Sequence, residues 1–245
     1  MRNKKKTIAA AATAMILGLP AAGWTATFKA NLVELNNSGV SGSVTFVVNE
    51  ALTLLTVSAR IMGLEPNALH INHVHGRFNE DGTPKDSILP TADLDTDKDG
   101  FVEVLEALPN YGDILLSLEP SLALPSSDPS KVHTGPISDA SGNLSYDLDF
   151  DLTDDAVFSS PVSRVNYTAA DLFPLFLREY VVHGQTVPDG VRQDGEGNLL
   201  PAGYDATLPV AAAELSPVPL PATGLLLMGG LGFLGAIRKR RRAAV

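Results

Sequence analysis

Between residues 24 and 216 the chain is cut, again and again, into short runs in which apolar and polar residues alternate. Glycine, proline, asparagine, aspartate or serine closes each run. The runs cover 27–35, 42–48, 54–61, 69–74, 114–118, 144–152 and 180–187. Alternation with a period of two places successive side chains on opposite faces of a strand. Strands this short and this regularly punctuated predict an all-β body, a sandwich or a barrel. Helical spacing is sparse. Residues 102–108 predict two helical turns, and 168–176 predict a short helix or loop limited by Pro174. Residues 121–131 read as a Pro/Ser loop and 189–203 as a long Gly/Asp-rich loop. Residues 208–217 read as the last strand followed by a linker.

Both ends of the chain have a different character. Arg2, Lys4, Lys5 and Lys6 precede a short apolar run from Ile8 to Leu19, and Pro20, Ala21, Ala22 and Gly23 follow. Charge, short apolar run and small-residue site in that order make residues 1–23 a signal peptide, cut after Gly23. The run is short for a spanning helix, which needs ~20 residues; the alternative is an N-terminal anchor that is never cleaved. At the other end, 220–237 is apolar and long enough to span a bilayer marginally, and Arg238, Lys239, Arg240, Arg241 and Arg242 follow it. The basic cluster would stay on the cytoplasmic side and place the body outside.

These terminal segments hold nine of the 18 basic residues and none of the 28 acidic ones, so the body between them carries a net charge of −19. An acidic body of this kind excludes nucleic acid as a partner, because phosphate binding needs a positive face. It suits a soluble surface protein or one bathed in divalent cations. The chain has no cysteine. An exported protein without disulfides must be held by its core or by metal.

The tail at 217–245 opens with Val218-Pro-Leu-Pro-Ala222 and continues into the apolar run and the arginine cluster. It resembles the PEP-CTERM class of sorting tails. That resemblance implies recognition by an exosortase-type membrane protease, a transient or permanent membrane stage through 220–237, and a body released or transferred to the cell surface. The alternative is a simple permanent anchor.

Residues 95–106 read Asp95-Thr-Asp97-Lys-Asp99-Gly100-Phe101-Val-Glu103-Val-Leu-Glu106. Calcium takes six to eight hard oxygens, and the EF-hand loop supplies them from fixed positions. Asp95, Asp97 and Asp99 stand at positions 1, 3 and 5, and Gly100 stands at the turn. Phe101 offers its carbonyl at 7, Glu103 acts at 9 through water, and Glu106 supplies the terminal bidentate carboxylate. The entering segment 87–94 contains Pro90 and does not read as a helix. The expectation is one calcium loop with one exiting helix, inserted in a β domain, with Kd on the order of 10⁻⁴ to 10⁻³ M.

Three of the five histidines crowd into Leu69-His70-Ile-Asn-His73-Val-His75-Gly76, and His183 ends another β-like run. His73 and His75 share a strand face and make a natural two-ligand pair, whereas His70 has the opposite parity and reads as a structural hydrogen-bonder. With His183 they provide three imidazoles able to bind copper or zinc; the alternative is a set of satisfied polar residues.

The runs 39–46, 57–64 and 69–75 resemble the first half of the Cu/Zn superoxide dismutases. Residues 181–184 are similar to that family's later copper-ligand strand, and 202–214 to its final strand. The first half also resembles the CHRD domain. The dismutase resemblance implies a Greek-key β-sandwich or barrel, with the calcium loop as an insertion. It implies His73, His75 and His183 as copper ligands and His70 as a structural histidine. The family's zinc-loop histidines and disulfide cysteines are absent. His133, with Asp139 nearby, is a bridging ligand or a surface residue. The family's substrate-guiding arginine is replaced, with Arg178 and Arg192 as stand-ins. The function expected is that of an exported, surface-sorted calcium-binding β protein with a structural or matrix role. The alternative is a copper-dependent superoxide dismutase-like enzyme. No catalytic residue is assigned beyond the metal ligands.

Overall fold

A computed structural model describes residues 25–124, 135–193 and 198–219. The signal segment 1–23, the apolar run 220–237 and His133 lie outside the described residues. Among those described, no helix is long and apolar enough to cross a membrane.

The alternating runs form strands that pair antiparallel throughout. They are β1 (Ala26–Asn31), β2 (Val33–Glu34), β3 (Ser41–Val48), β4 (Leu54–Met62), β5 (Asn72–Phe78), β6 (Pro84–Lys85), β7 (Asp113–Ser117), β8 (Leu144–Asp151), β9 (Glu179–Val187), β10 (Gly203–Glu214) and β11 (Ser216–Pro217). A 5-stranded sheet has the order β11-β1-β3-β4-β8; a 6-stranded sheet has the order β2-β10-β9-β5-β6, with β7 also paired to β5. The all-β reading is therefore correct.

The two sheets bury one shared core, and they do so differently. In the first sheet the pattern is half-buried: Val44, Phe46 and Val48 of β3 and Leu55, Val57, Ala59 and Ile61 of β4 face inward while their neighbours face solvent. In the second sheet β5 is buried on both faces from Asn72 to Gly76, as is β9 from Glu179 to Gly184. Val74, Tyr180 and Val182 enter the shared core, whereas Val181 and Ala212 face the other way, against Val102, Ala107 and Tyr111. The outer face of this sheet is thus roofed by the segment between β6 and β7.

That roof contains the expected helix, shifted. α1 spans Val104–Tyr111 and starts from a capping box in which Glu103 and Glu106 satisfy each other's backbone N–H. The entering segment makes only a 3₁₀ turn at Ala92–Leu94. The helix ends at Gly112, whose φ of 87° is left-handed. A side chain there would also run into the backbone of Gly76, so only glycine fits. The expected short helix before β9 is α2 (Ala169–Leu172).

Four boundaries differ from the sequence reading. The run 27–35 is split, with Ala26–Asn31 pairing in the first sheet and Val33–Glu34 in the second. Strand 69–74 begins instead at Asn72 and runs on to Phe78, because β7 and β9 pair with Asn72–Gly76 while Leu69 bridges to Ile137. β10 begins at Gly203, the last residue of the expected long loop and ahead of the strand expected from 208, with Gly203, Tyr204 and Asp205 pairing with Val187, Thr186 and Gln185. The expected linker is in part a strand, since Ser216 and Pro217 pair with Lys29 and Phe28.

Candidate metal centre

β5 places His73 and His75 two residues apart, and β9 places His183 beside them. All three face away from the sandwich core, beneath the roof. They are 3%, 2% and 2% exposed. Ring centroids lie 5.5 Å apart for His73–His75, 5.1 Å for His73–His183 and 6.0 Å for His75–His183. Three imidazoles each holding one ion at ~2.0–2.1 Å would have centroids roughly 5–6 Å apart, so the spacing suits a shared ion. One ring nitrogen from each residue lies within 4.8 Å of the others.

Hydrogen bonds decide which nitrogens are free. His75 Nδ1 is 3.0 Å from the Gly112 carbonyl oxygen, and His183 Nδ1 is 2.6 Å from that of Thr207. A carbonyl only accepts, so each Nδ1 carries its hydrogen and each Nε2 presents a lone pair. Both Nε2 atoms, together with His73 Nδ1, are buried and have no hydrogen-bond partner. Buried nitrogens left unpaired in this way are costly unless something completes them. A metal ion is the group that these three donors fit.

Burial keeps the cluster neutral. It pushes His73 well below its ordinary value, with His183 and His75 adding to the effect. Burial, then the neighbouring His183, lowers His75 to about 3, and burial lowers His183 to about 4. Metal binding requires neutral imidazole, so the ligands need no deprotonation at neutral pH.

His70 stays apart from this cluster, as expected, but because it precedes β5 rather than through strand parity. It lies just before β5, buried, with Nδ1 at 3.0 Å from the His183 carbonyl and Nε2 at 3.1 Å from that of Glu65. It fastens the 64–70 loop to β9. Gly184, with φ 114°, lets Tyr204 and His70 approach where a side chain would collide with both.

The two arginines singled out from the sequence are held by backbone carbonyls. Arg178 is fully buried; it donates to Leu172 (3.1 Å), Asp171 (2.6 Å) and Arg77 (3.3 Å) and lies over the Phe78 ring at 5.2 Å. Arg192 donates to the Pro201 carbonyl at 3.2 Å, within the β9–β10 connection. Asp139 holds a turn by accepting from the N–H groups of Ser141 and Asn143, each at 2.8 Å.

The acidic loop brings its carboxylates into two overlapping groups. Oxygens of Asp95, Asp97 and Glu106 lie within 4.8 Å of one another, as do those of Asp97, Asp99 and Glu103. Lys98 and Gly100, both left-handed, turn their N–H groups onto Asp95 at 2.6 and 3.0 Å. Thr96 N–H donates to Glu106 at 2.6 Å. Phe101 packs against Val187, Val191 and Leu208. Asp99 Oδ2 and Glu103 Oε1 are buried without a partner. Burial, then the hydrogen bond to Glu106, raises Glu103 to about 9. Burial alone would also raise Glu106, but bonds from Glu103 and Thr96 hold it at about 2. Burial thus drives Glu103 toward its protonated form while Glu106 is held in its charged form.

Sequence reasoning missed the groups that hold these ligands in place. Tyr111 lies against His75, with centroids 4.3 Å apart, and Gly112 and Thr207 act through backbone carbonyls that no residue type advertises. Glu179, opposite His75 in the ladder, is fully buried with neither oxygen partnered. Burial, then Glu214 and Asp86, raises it to about 8. Only its place before an apolar β run hinted at burial.

The class that these observations define is an antiparallel two-sheet protein with a buried three-histidine cluster under a helical roof and an acidic loop at that roof's edge. No protein-family model matches the sequence, and no curated protein matches it.

Proposed function

We propose that this chain is an exported metal-binding β protein, in which His73, His75 and His183 hold copper and the 95–106 loop holds calcium, serving a structural or matrix-associated role at the cell surface. The observation that carries the reading is the meeting of three buried imidazole nitrogens without partners, two of them oriented by backbone carbonyls. Imidazoles without thiolate suit copper or zinc, and copper(II) binds most tightly among first-row divalent ions. Calcium is supported by the position-by-position match of Asp95, Asp97, Asp99, Phe101, Glu103 and Glu106 to an EF-hand loop and by the gathering of the five carboxylates. Export and surface sorting rest on the order of charged, apolar and small-residue segments at the two termini, and on the tail's resemblance to exosortase substrates.

Elemental analysis of the purified full-length chain tests this. One copper and one calcium per chain, removable separately by His75→Ala and Asp95→Ala, is the expected result. Absence of both ions after exposure to each would refute it.

A second reading follows from the same ligands. Three protein donors leave coordination positions free, and bound copper would supply one-electron chemistry of the superoxide dismutase kind. The enclosure of the histidines and the engagement of Arg178 with carbonyls weigh toward the non-catalytic role, since a fast enzyme for an anionic substrate benefits from an open, positive approach. Superoxide decay accelerated by the copper-loaded chain, and lost in His75→Ala, would favour the enzyme.

A further inference from the structure

Asn36 is neither a ligand nor a neighbour of one, yet its side chain joins the two supports of the histidine cluster. Its Nδ2 donates to the Val102 carbonyl at 3.0 Å and to the Pro209 carbonyl at 2.9 Å, and its Oδ1 accepts from Val102 N–H at 2.8 Å. Val102 stands two residues before α1, the helix that ends in Tyr111 against the His75 ring and in the Gly112 carbonyl on His75 Nδ1. Pro209 pairs with His183 across the β9–β10 ladder, between two register shifts, and lies two residues beyond the Thr207 carbonyl that takes His183 Nδ1. A ladder irregular at that point does not by itself fix where those carbonyls lie. The Asn36 amide ties down the Pro209 carbonyl, while the Thr207 N–H and hydroxyl are held by Asp205 at 2.8 and 2.7 Å; the Asn36 turn is fastened to the same strand by Leu35 N–H and Ser38 Oγ on the Val210 carbonyl, at 2.9 and 2.7 Å.

We propose that Asn36 is a positioning residue for the histidine centre, holding the supports of His75 and His183 in one frame so that their Nε2 atoms meet at the geometry the metal requires. The inference rests on the reading that these histidines bind copper. Residue choice fits the role. Asn36 has a left-handed φ of 56°, which asparagine tolerates better than other residues with long side chains, and its amide offers the two donors and one acceptor that three backbone groups need.

The test uses the full-length chain with copper(II) added, reading the visible ligand-field band, the electron-spin-resonance hyperfine splitting and the affinity in chelator competition. Asn36→Gly keeps the left-handed backbone and removes the three side-chain bonds; Asn36→Asp keeps the acceptor for Val102 and loses the donors. Asn37→Gly, at the adjacent exposed left-handed position, is the control. The expected result is a shifted spectrum and copper binding weakened about 10–100-fold in Asn36→Gly, a change at least as large in Asn36→Asp, whose carboxylate would face the Val102 and Pro209 carbonyls, and none in Asn37→Gly. A lowered melting temperature with an unchanged spectrum and affinity would reduce Asn36 to a structural residue and overturn the proposal. If Asn36→Gly fails to fold, the spectrum of Asn36→Asp decides in the same way. A wild-type chain that binds no copper would refute the underlying reading, an outcome distinct from both.

Discussion

The histidine cluster and the acidic loop are both gatherings of metal-type ligands, assembled on opposite terms. The loop is contiguous, lies at the surface, and satisfies much of its own charge with turn N–H groups. The cluster joins residues more than a hundred positions apart, is sealed from water, and leaves one nitrogen on each ring unpaired. A contiguous loop can rearrange around a hard ion, and ions of that kind accept variable oxygen number and geometry. A buried imidazole set must be right beforehand, because the surrounding sheet and helix fix it. The comparison teaches that the loop's geometry is set by its own residues, whereas the cluster's is set by parts outside the three rings.

The sharpest way to break the contrast is to remove a ligand from each. His183→Ala is expected to abolish stoichiometric copper uptake while calcium uptake is retained, and Asp95→Ala to do the reverse, both measured by calorimetry. Mutual loss in either variant would mean that the two regions are one unit.

Next in size is Gly112→Ala. A left-handed φ and the backbone of Gly76 oppose the added methyl, so the metal-free protein should lose about 3 kcal/mol or more in urea unfolding. Copper affinity should fall with it, because the carbonyl that orients His75 moves.

The cluster should also be the more pH-sensitive region in metal-free protein. His75 and His183 titrate at about 3 and about 4 when folded, against 6.5 for free histidine. The unfolded chain therefore binds more protons below pH 6.5, and stability falls as pH drops from there toward 4, by roughly 3 kcal/mol per imidazole at most. Glu179 runs the other way. Held protonated up to about pH 8 when folded, against an ordinary 4.5, it withdraws stability as pH rises through that interval. Glu179→Gln should raise the melting temperature at pH 8.5 and change it little at pH 4.5.

The smallest effect belongs to the loop. Burial pushes Glu103 toward its protonated form, so calcium uptake at pH 7 should release protons, read from the buffer dependence of the calorimetric heat. Glu106→Ala should further lower stability by about 1 kcal/mol through the lost capping box of α1.

The difference between the regions also explains what was legible beforehand. The gathering of the loop's carboxylates was legible residue by residue because it is set by position within twelve neighbours. The pairing of His73 with His75 followed from strand parity; His70 lies apart for another reason, because it precedes the strand. The supports did not follow. Gly112 and Thr207 contribute carbonyls, Tyr111 contributes a ring packed from another element, and Asn36 looks in the sequence like any turn former beside Asn37. The extension of β5 to Phe78 was missed because apolar spacing favoured Leu69 and Ile71, whereas pairing with β7 and β9 selected Asn72 to Gly76.

By itself the sequence determined the all-β character of the body, the place of most of its longer strands, a helix after the acidic loop and the residue types able to take metal. Periodicity and turn chemistry are local, and local physics is written in neighbouring residues. The grouping of His183 with His73 and His75 was expected from the sequence; only the tertiary structure decided that the outer face of the second sheet would be roofed over it and that all three rings would be dry. Burial and the partners of a carbonyl depend on which distant segments come to lie over a strand, and no local pattern carries that.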